Sequence, residues 1–89
     1  MRKPAAAVFA ALGDETRLRL VARLSSDGPL SITQLADGFP MTRQAIAKHL
    51  RVMEDAGLVA STPHGRERLW AVAKAWDVRL ARLKRLVEP

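Results

Sequence analysis

Two helices are predicted at the start of the chain. Residues 5–12 form a short, Ala-dominated apolar run, read as helix α1, whose near lack of polar side chains predicts cover on more than one side. Gly13 separates it from the stretch DETRLRLVARLSSDG, in which Leu20, Val21 and Leu24 fall on one helical stripe. Asp14 suits the N-cap and Gly28-Pro29 the stop, so this stretch is read as an amphipathic helix, α2, over residues 14–27.

Ser31-Ile32-Thr33-Gln34 then fits a capping box, with the Ser hydroxyl and the Gln side chain reciprocally satisfying free backbone N–H groups. A third helix, α3, is predicted from residue 31 to about 37. Gly38 suits a left-handed C-terminal position, Pro40 cannot continue the helix, and Phe39 between them reads as a core plug. Thr42 can cap a fourth helix, α4, reaching about residue 56. Ile46, Leu50 and Met53 recur along it at i, i+4 and i+7, and Gly57 marks its C-terminus. Two short helices joined by a tight turn, over about residues 31–56, are the layout of a helix-turn-helix.

Beyond Gly57 the runs LVAST (residues 58–62, β1) and ERLWAV (residues 67–72, β2) predict a hairpin over about 58–72, with Pro63-His64-Gly65-Arg66 as its turn. A last helix, α5, over about 73–88 carries Trp76, Leu80, Leu83 and Val87 on one stripe and Lys74, Arg79, Arg82, Lys84 and Arg85 elsewhere. No internal repeat or linker interrupts the pattern, so residues 1–89 are read as one domain: mainly α with a small β-hairpin.

Composition narrows the class. A hydrophobic share of 48% with 27% charged residues is too apolar for a disordered basic tail. At 89 residues, however, the chain buries only about 60–65% of the surface it exposes unfolded, which makes a partner chain an early expectation. The absence of cysteine excludes disulfides, thiolate metal sites and thiol catalysis. The longest apolar run, 5–12, is far short of the roughly 20 residues that span a bilayer, so no membrane partner is expected. Arg2 and Lys3 imitate a secretory leader, but Asp14, Glu15 and Arg17 follow the Ala-rich run at once, which favours a cytoplasmic protein.

With 15 Lys and Arg against 9 Asp and Glu, the net charge is +6, so the placement of the cations matters. With Ile46 at the centre of the buried face of α4, a rotation of about 100° per residue carries Gln44, Lys48 and Arg51 to the opposite pole. Arg43 and Ala47 flank that ridge. A guanidinium suits guanine O6 and N7, a carboxamide suits adenine N6 and N7, and a small residue permits close approach. Thr42 and the free N–H groups at the helix start can hold a phosphate, and Arg51 can reach the backbone. Taken alone, such a ridge is equally an ordinary solvated helix face. At the hairpin tip His64, Arg66 and Arg68 make a basic cluster suited to a minor groove or phosphates; arginines there also discourage edge pairing.

Catalytic and metal readings find no support. His49 and His64 lack the ligand cluster a metal requires, Glu54 and Asp55 point to different faces of α4, and no Gly-rich phosphate loop exists. Trp70 and Trp76 read as core residues rather than as the walls of a ligand pocket. The basic amphipathic α5 can complete the core, pair with its copy or lie on lipid; core and dimer are favoured in so small a domain.

The segments FAALGDETRLRLVARL, LSITQLAD, PMTRQAIAKHLRVMEDAGLV and GRERLW resemble the ArsR/SmtB family of bacterial winged-helix repressors over residues 8–72. The block from Met41 to Val59 is the most specific part, and Asp14-x-Thr16-Arg17 also matches. The resemblance implies a winged helix-turn-helix of order α1-α2-α3-α4-β1-β2-α5 and a homodimer joined through α1 (Ala6, Phe9, Ala10) and α5 (Trp76, Leu80, Leu83, Val87). Each subunit would place α4 in a major groove and the hairpin wing beside it, on an inverted-repeat operator with half-sites about 10 bp apart or a multiple of that. Where the family's arsenic and cadmium sensors carry Cys-Val-Cys this chain has Ser31-Ile32-Thr33, and α5 lacks the zinc sensors' ligand set. The expectation is a DNA-binding repressor without metal or cofactor, answering at most an unknown small-molecule or protein effector. The alternatives are a docking module for an acidic protein and a nonspecific DNA binder, which salt and sequence dependence distinguish.

Overall fold

The computed structural model describes residues 10–74. Of α1 it includes residues 10–12, which are helical, and of the predicted α5 only residues 73 and 74. Ala6, Phe9, Trp76, Leu80, Leu83 and Val87 therefore lie outside the described residues.

Each described helix begins where a short polar side chain satisfies its free N–H groups. Helix α2, Glu15–Asp27, starts at Asp14, whose carboxylate accepts from the Arg17 N–H at 3.0 Å. Helix α3, Ile32–Ala36, has the full capping box: Gln34 N–H donates to Ser31 Oγ at 3.2 Å and Ser31 N–H to Gln34 Oε1 at 2.9 Å. Helix α4, Arg43–Asp55, starts at Thr42, whose Oγ1 accepts from Ala45 N–H at 3.1 Å. It ends in a Schellman turn in which Gly57, at φ 79°, lets Leu58 N–H reach Met53 O and its own N–H reach Glu54 O, both at 2.9 Å.

The stripes read from the sequence face one core. Leu20, Leu35, Ile46, Leu50, Met53 and Leu58 are fully buried, with Val21, Leu24 and Trp70 beside them. Each such side chain removed from water stabilises the fold by about 1.5–3 kcal/mol. The strands β1, Val59–His64, and β2, Glu67–Val72, pair antiparallel. A two-stranded hairpin is marginal by itself, and this one is tied down at its base. Leu30 and Trp70 exchange backbone hydrogen bonds of 2.9 and 2.8 Å, and Ala73 N–H donates to Leu58 O at 2.9 Å.

Three local expectations are corrected. Gly38 is not left-handed: among the described residues only Gly57 and Gly65 have positive φ. A Cβ at Gly38 would stand 2.6 Å from a terminal nitrogen of Arg23, whose guanidinium donates to Leu35 O at 3.1 Å and so covers the end of α3 from α2. Glycine is present there to admit a side chain rather than to permit a backbone angle. Pro63 and His64 belong to β1, not to the turn, which shrinks to Gly65 and Arg66. Positive φ at Gly65 alone is the pattern of a type II′ hairpin turn. Phe39 is only half-buried, packing against the core edge while the Arg19 guanidinium lies 5.5 Å from its ring centre.

Candidate nucleic-acid interface

Burying Ile46, Leu50 and Met53 turns the opposite side of α4 outward. Thr42, Arg43, Gln44, Lys48 and Arg51 are exposed, and Ala47 is half-buried among them. Within the described residues Arg43, Gln44, Lys48 and Arg51 make no side-chain hydrogen bond or ion pair. The Thr42 oxygen already serves as the cap, so what it adds is the O–H. No carboxylate occurs on α4 before Glu54. The first half of the helix thus presents only positive charge, reinforced by the positive end of the helix dipole. His49 is half-buried on the flank.

Strand alternation sorts the hairpin into two faces. Ser61 pairs with Trp70 and Pro63 with Arg68, so these four share the face turned toward α3 and α4, whereas His64 and Glu67 pair on the other. Arg66 stands exposed at the tip. Arg68 is placed differently from the other basic tip residues: its Nε–H donates to Ser61 Oγ at 3.0 Å, and the Ser61 hydroxyl donates to Glu54 Oε2 at 3.3 Å. Beneath this bridge lies a cleft of about 410 Å³ between α4, the start of α3 and the hairpin. Its lining includes Arg51, Arg68 and Glu54, with Glu67 entering at the outer edge from the strand position next to Arg68, so carboxylates as well as cations border it. The Trp70 Nε1–H in its wall is buried without a hydrogen-bond partner. Among the described residues of α4 and the hairpin, the arginine and lysine side chains outside this cleft are Arg43 and Lys48 on the helix and Arg66 at the tip, while Arg51 stands at its edge without a hydrogen bond. Sequence reasoning missed Ser61 and Glu54 here; the period-2 alternation that puts Ser61 and Arg68 on the Trp70 face was the signal available.

The arginines of α2 are all engaged within the fold. Arg17 Nε–H donates to Ala11 O at 2.7 Å, closing α1; Arg19 covers Phe39; and Arg23 reaches Leu35 O with Asp27 3.9 Å away. At the start of α2 the Arg17 N–H holds the Asp14 carboxyl below its ordinary value of 3.8, partial desolvation opposing it and the Arg17 and His49 charges assisting.

Among the described residues no three His, Cys, Asp or Glu side chains gather as metal ligands, and no helix is long and apolar enough to cross a membrane. Residues 12–62 match the model of a helix-turn-helix domain family. The HTH-type transcriptional regulator YuzN of Bacillus subtilis is 45% identical over 69 residues, covering 71% of this chain and 75% of that protein. An ArsR-like transcriptional regulator from Rhodococcus sp. RHA1 superposes with a TM-score of 0.67 at 38% identity, covering 91% of this chain and 87% of that one. The homodimeric winged helix-turn-helix DNA-binding domain Mb0332 of Mycobacterium bovis superposes at 0.81 with 24% identity, covering 92% and 75%. At that identity it speaks for the fold alone.

Proposed function

Since the chain belongs to the helix-turn-helix family of ArsR-like transcriptional regulators, DNA-binding proteins rather than enzymes, we propose that it is a repressor acting as a homodimer on an inverted-repeat operator, without a metal effector. Helix α4 reads the major groove through Arg43 and Gln44, with Ala47 admitting the base edges. Thr42, Lys48 and Arg51 hold the flanking phosphates, and the wing tip lays Arg66, with His64, along the backbone or minor groove.

The observation that carries this reading is the exposed ridge of α4, unpartnered among the described residues, beside an exposed arginine at the wing tip. Subunits join through α1 and α5, with Ala6, Phe9, Ala10, Trp76, Leu80, Leu83 and Val87 at the seam; Mb0332, which shares the fold, is itself homodimeric. The absence of cysteine supports a metal-independent switch, as does the occupation of the Ser31 hydroxyl in capping α3. The protein works in the cytoplasm, on the nucleoid.

Selection of bound duplexes from a random pool tests the reading. An inverted repeat with half-sites about 10 bp apart, or a multiple, is expected. Enrichment of no sequence, or binding with a salt slope but no preference, overturns it in favour of a docking module or a nonspecific binder.

A further inference from the structure

We propose that Ser61 is the positioning residue of the DNA interface: its hydroxyl locks the outer half of the wing to the second half of α4, and so sets where Arg66 stands relative to the base-reading residues. This rests on the DNA-binding reading above. The hairpin is anchored at its base, by Trp70 to Leu30 and by Ala73 to Leu58. Beyond Ser61 and Trp70, residues 62–68 are all exposed. From there outward the wing is a lever, and a small change of angle at its base moves the tip by several times as much.

Among the described residues the tether that steadies this lever runs through one atom. Ser61 Oγ accepts from Arg68 Nε–H at 3.0 Å and donates to Glu54 Oε2 at 3.3 Å. A hydroxyl can do both at once because it carries one donor and two acceptor positions; the side chain of alanine or valine cannot replace it, and a thiol does so only weakly. Cation and carboxylate on either side polarise the O–H in the same sense, so each bond strengthens the other. Arg68 must approach from the wing and Glu54 from α4, so the bridge forms only at one wing angle. Both bonds lie near solvent, and their contribution to global stability is small. Their effect is on geometry: Arg68 is held inward, which leaves Arg66 as the arginine that meets DNA.

The test uses the full chain and the operator recovered by selection. Ser61→Ala is expected to weaken operator binding about five- to tenfold, and Ser61→Thr, which keeps the hydroxyl, to stay within about twofold of the parent. Because Ser61 acts through Arg66, the effect of Arg66→Ala is expected to shrink in the Ser61→Ala background. Independent, multiplying effects overturn the proposal, as does a Ser61→Thr variant as weak as Ser61→Ala. A second readout needs no DNA. The Arg68 Nε–H proton is expected to exchange more slowly in the parent and in Ser61→Thr than in Ser61→Ala. An unchanged exchange rate in Ser61→Ala overturns the lock, whether or not the parent chain binds DNA. Failure of the parent to bind any duplex instead overturns the function proposed above.

Discussion

Helices α2 and α4 are built to one plan and put their cations to opposite uses. Each has 13 residues, a capping side chain at its start and three buried apolar residues. Each also carries three basic residues: Arg17, Arg19 and Arg23 on one, Arg43, Lys48 and Arg51 on the other. On α2 every guanidinium is committed within the fold, to the end of α1, to the face of Phe39 and to the end of α3. On α4 the three extend from the surface without a partner among the described residues. A hydrogen bond to a carbonyl does not neutralise an arginine, so both sets add to the long-range field that attracts DNA. Only the second set is free to make contacts. Net charge therefore reports attraction, and partnering reports which face binds.

The comparison breaks most visibly at α4. Arg43→Ala or Gln44→Ala is expected to cost about 1–3 kcal/mol of operator affinity and to relax preference at one base position, with thermal unfolding unchanged. Titration over single-base operator variants reads both effects; the same loss from Arg19→Ala would erase the distinction between the helices. Next in size, Lys48→Ala or Arg66→Ala is expected to weaken all duplexes alike and to lower the salt slope of binding by about 1 for each phosphate contact removed.

On the α2 side, Arg23→Ala is expected to cost about 0.5–1.5 kcal/mol of folding stability with no change in the salt slope. For a domain of this size each 1 kcal/mol corresponds to a melting shift of about 4–8 °C. Gly38→Ala, which displaces the same guanidinium, is expected to give a similar shift, and the double variant little more than either alone; calorimetry of the four proteins checks this. The smallest effect is at Asp14. Its carboxyl pKa is depressed on folding, so its contribution is complete above the unfolded value and is lost as pH falls through the folded one. In acid melts below about pH 4 the parent is expected to lose stability more steeply than Asp14→Asn, whose amide oxygen still caps.

Much of the scaffold was legible because its signals are local. Asp14, Ser31 and Thr42 cap the helices they were expected to cap, and the apolar stripes of α2 and α4 are buried. These follow from side chains acting within one turn of their own backbone. What was missed depends on residues distant in sequence. Gly38 follows the end of α3 as the sequence predicts, but not in the left-handed conformation expected of it, and the side chain it admits belongs to Arg23, fifteen positions earlier. From the sequence, Arg68 groups with Arg66 as a contact because both are basic and near a turn. Only the strand register shows it facing Glu54, on another element, through Ser61. The ridge of α4 was legible as a face, since helical periodicity fixes which residues share a side. That it carries no partners among the described residues depends on side chains of other elements, which periodicity does not place.

The two-residue tip at Gly65 and Arg66 also constrains how this hairpin can change over generations. An insertion of one residue into a strand turns every later side chain of that strand to the other face, carrying Trp70 out of the interior and Arg68 away from Ser61, unless a bulge absorbs it. An insertion of two in each strand preserves the sidedness and only lengthens the arm, by about 7 Å. Surviving length variants among descendants of this chain are therefore expected to differ by even numbers of residues here, a parity rule written by the pleat.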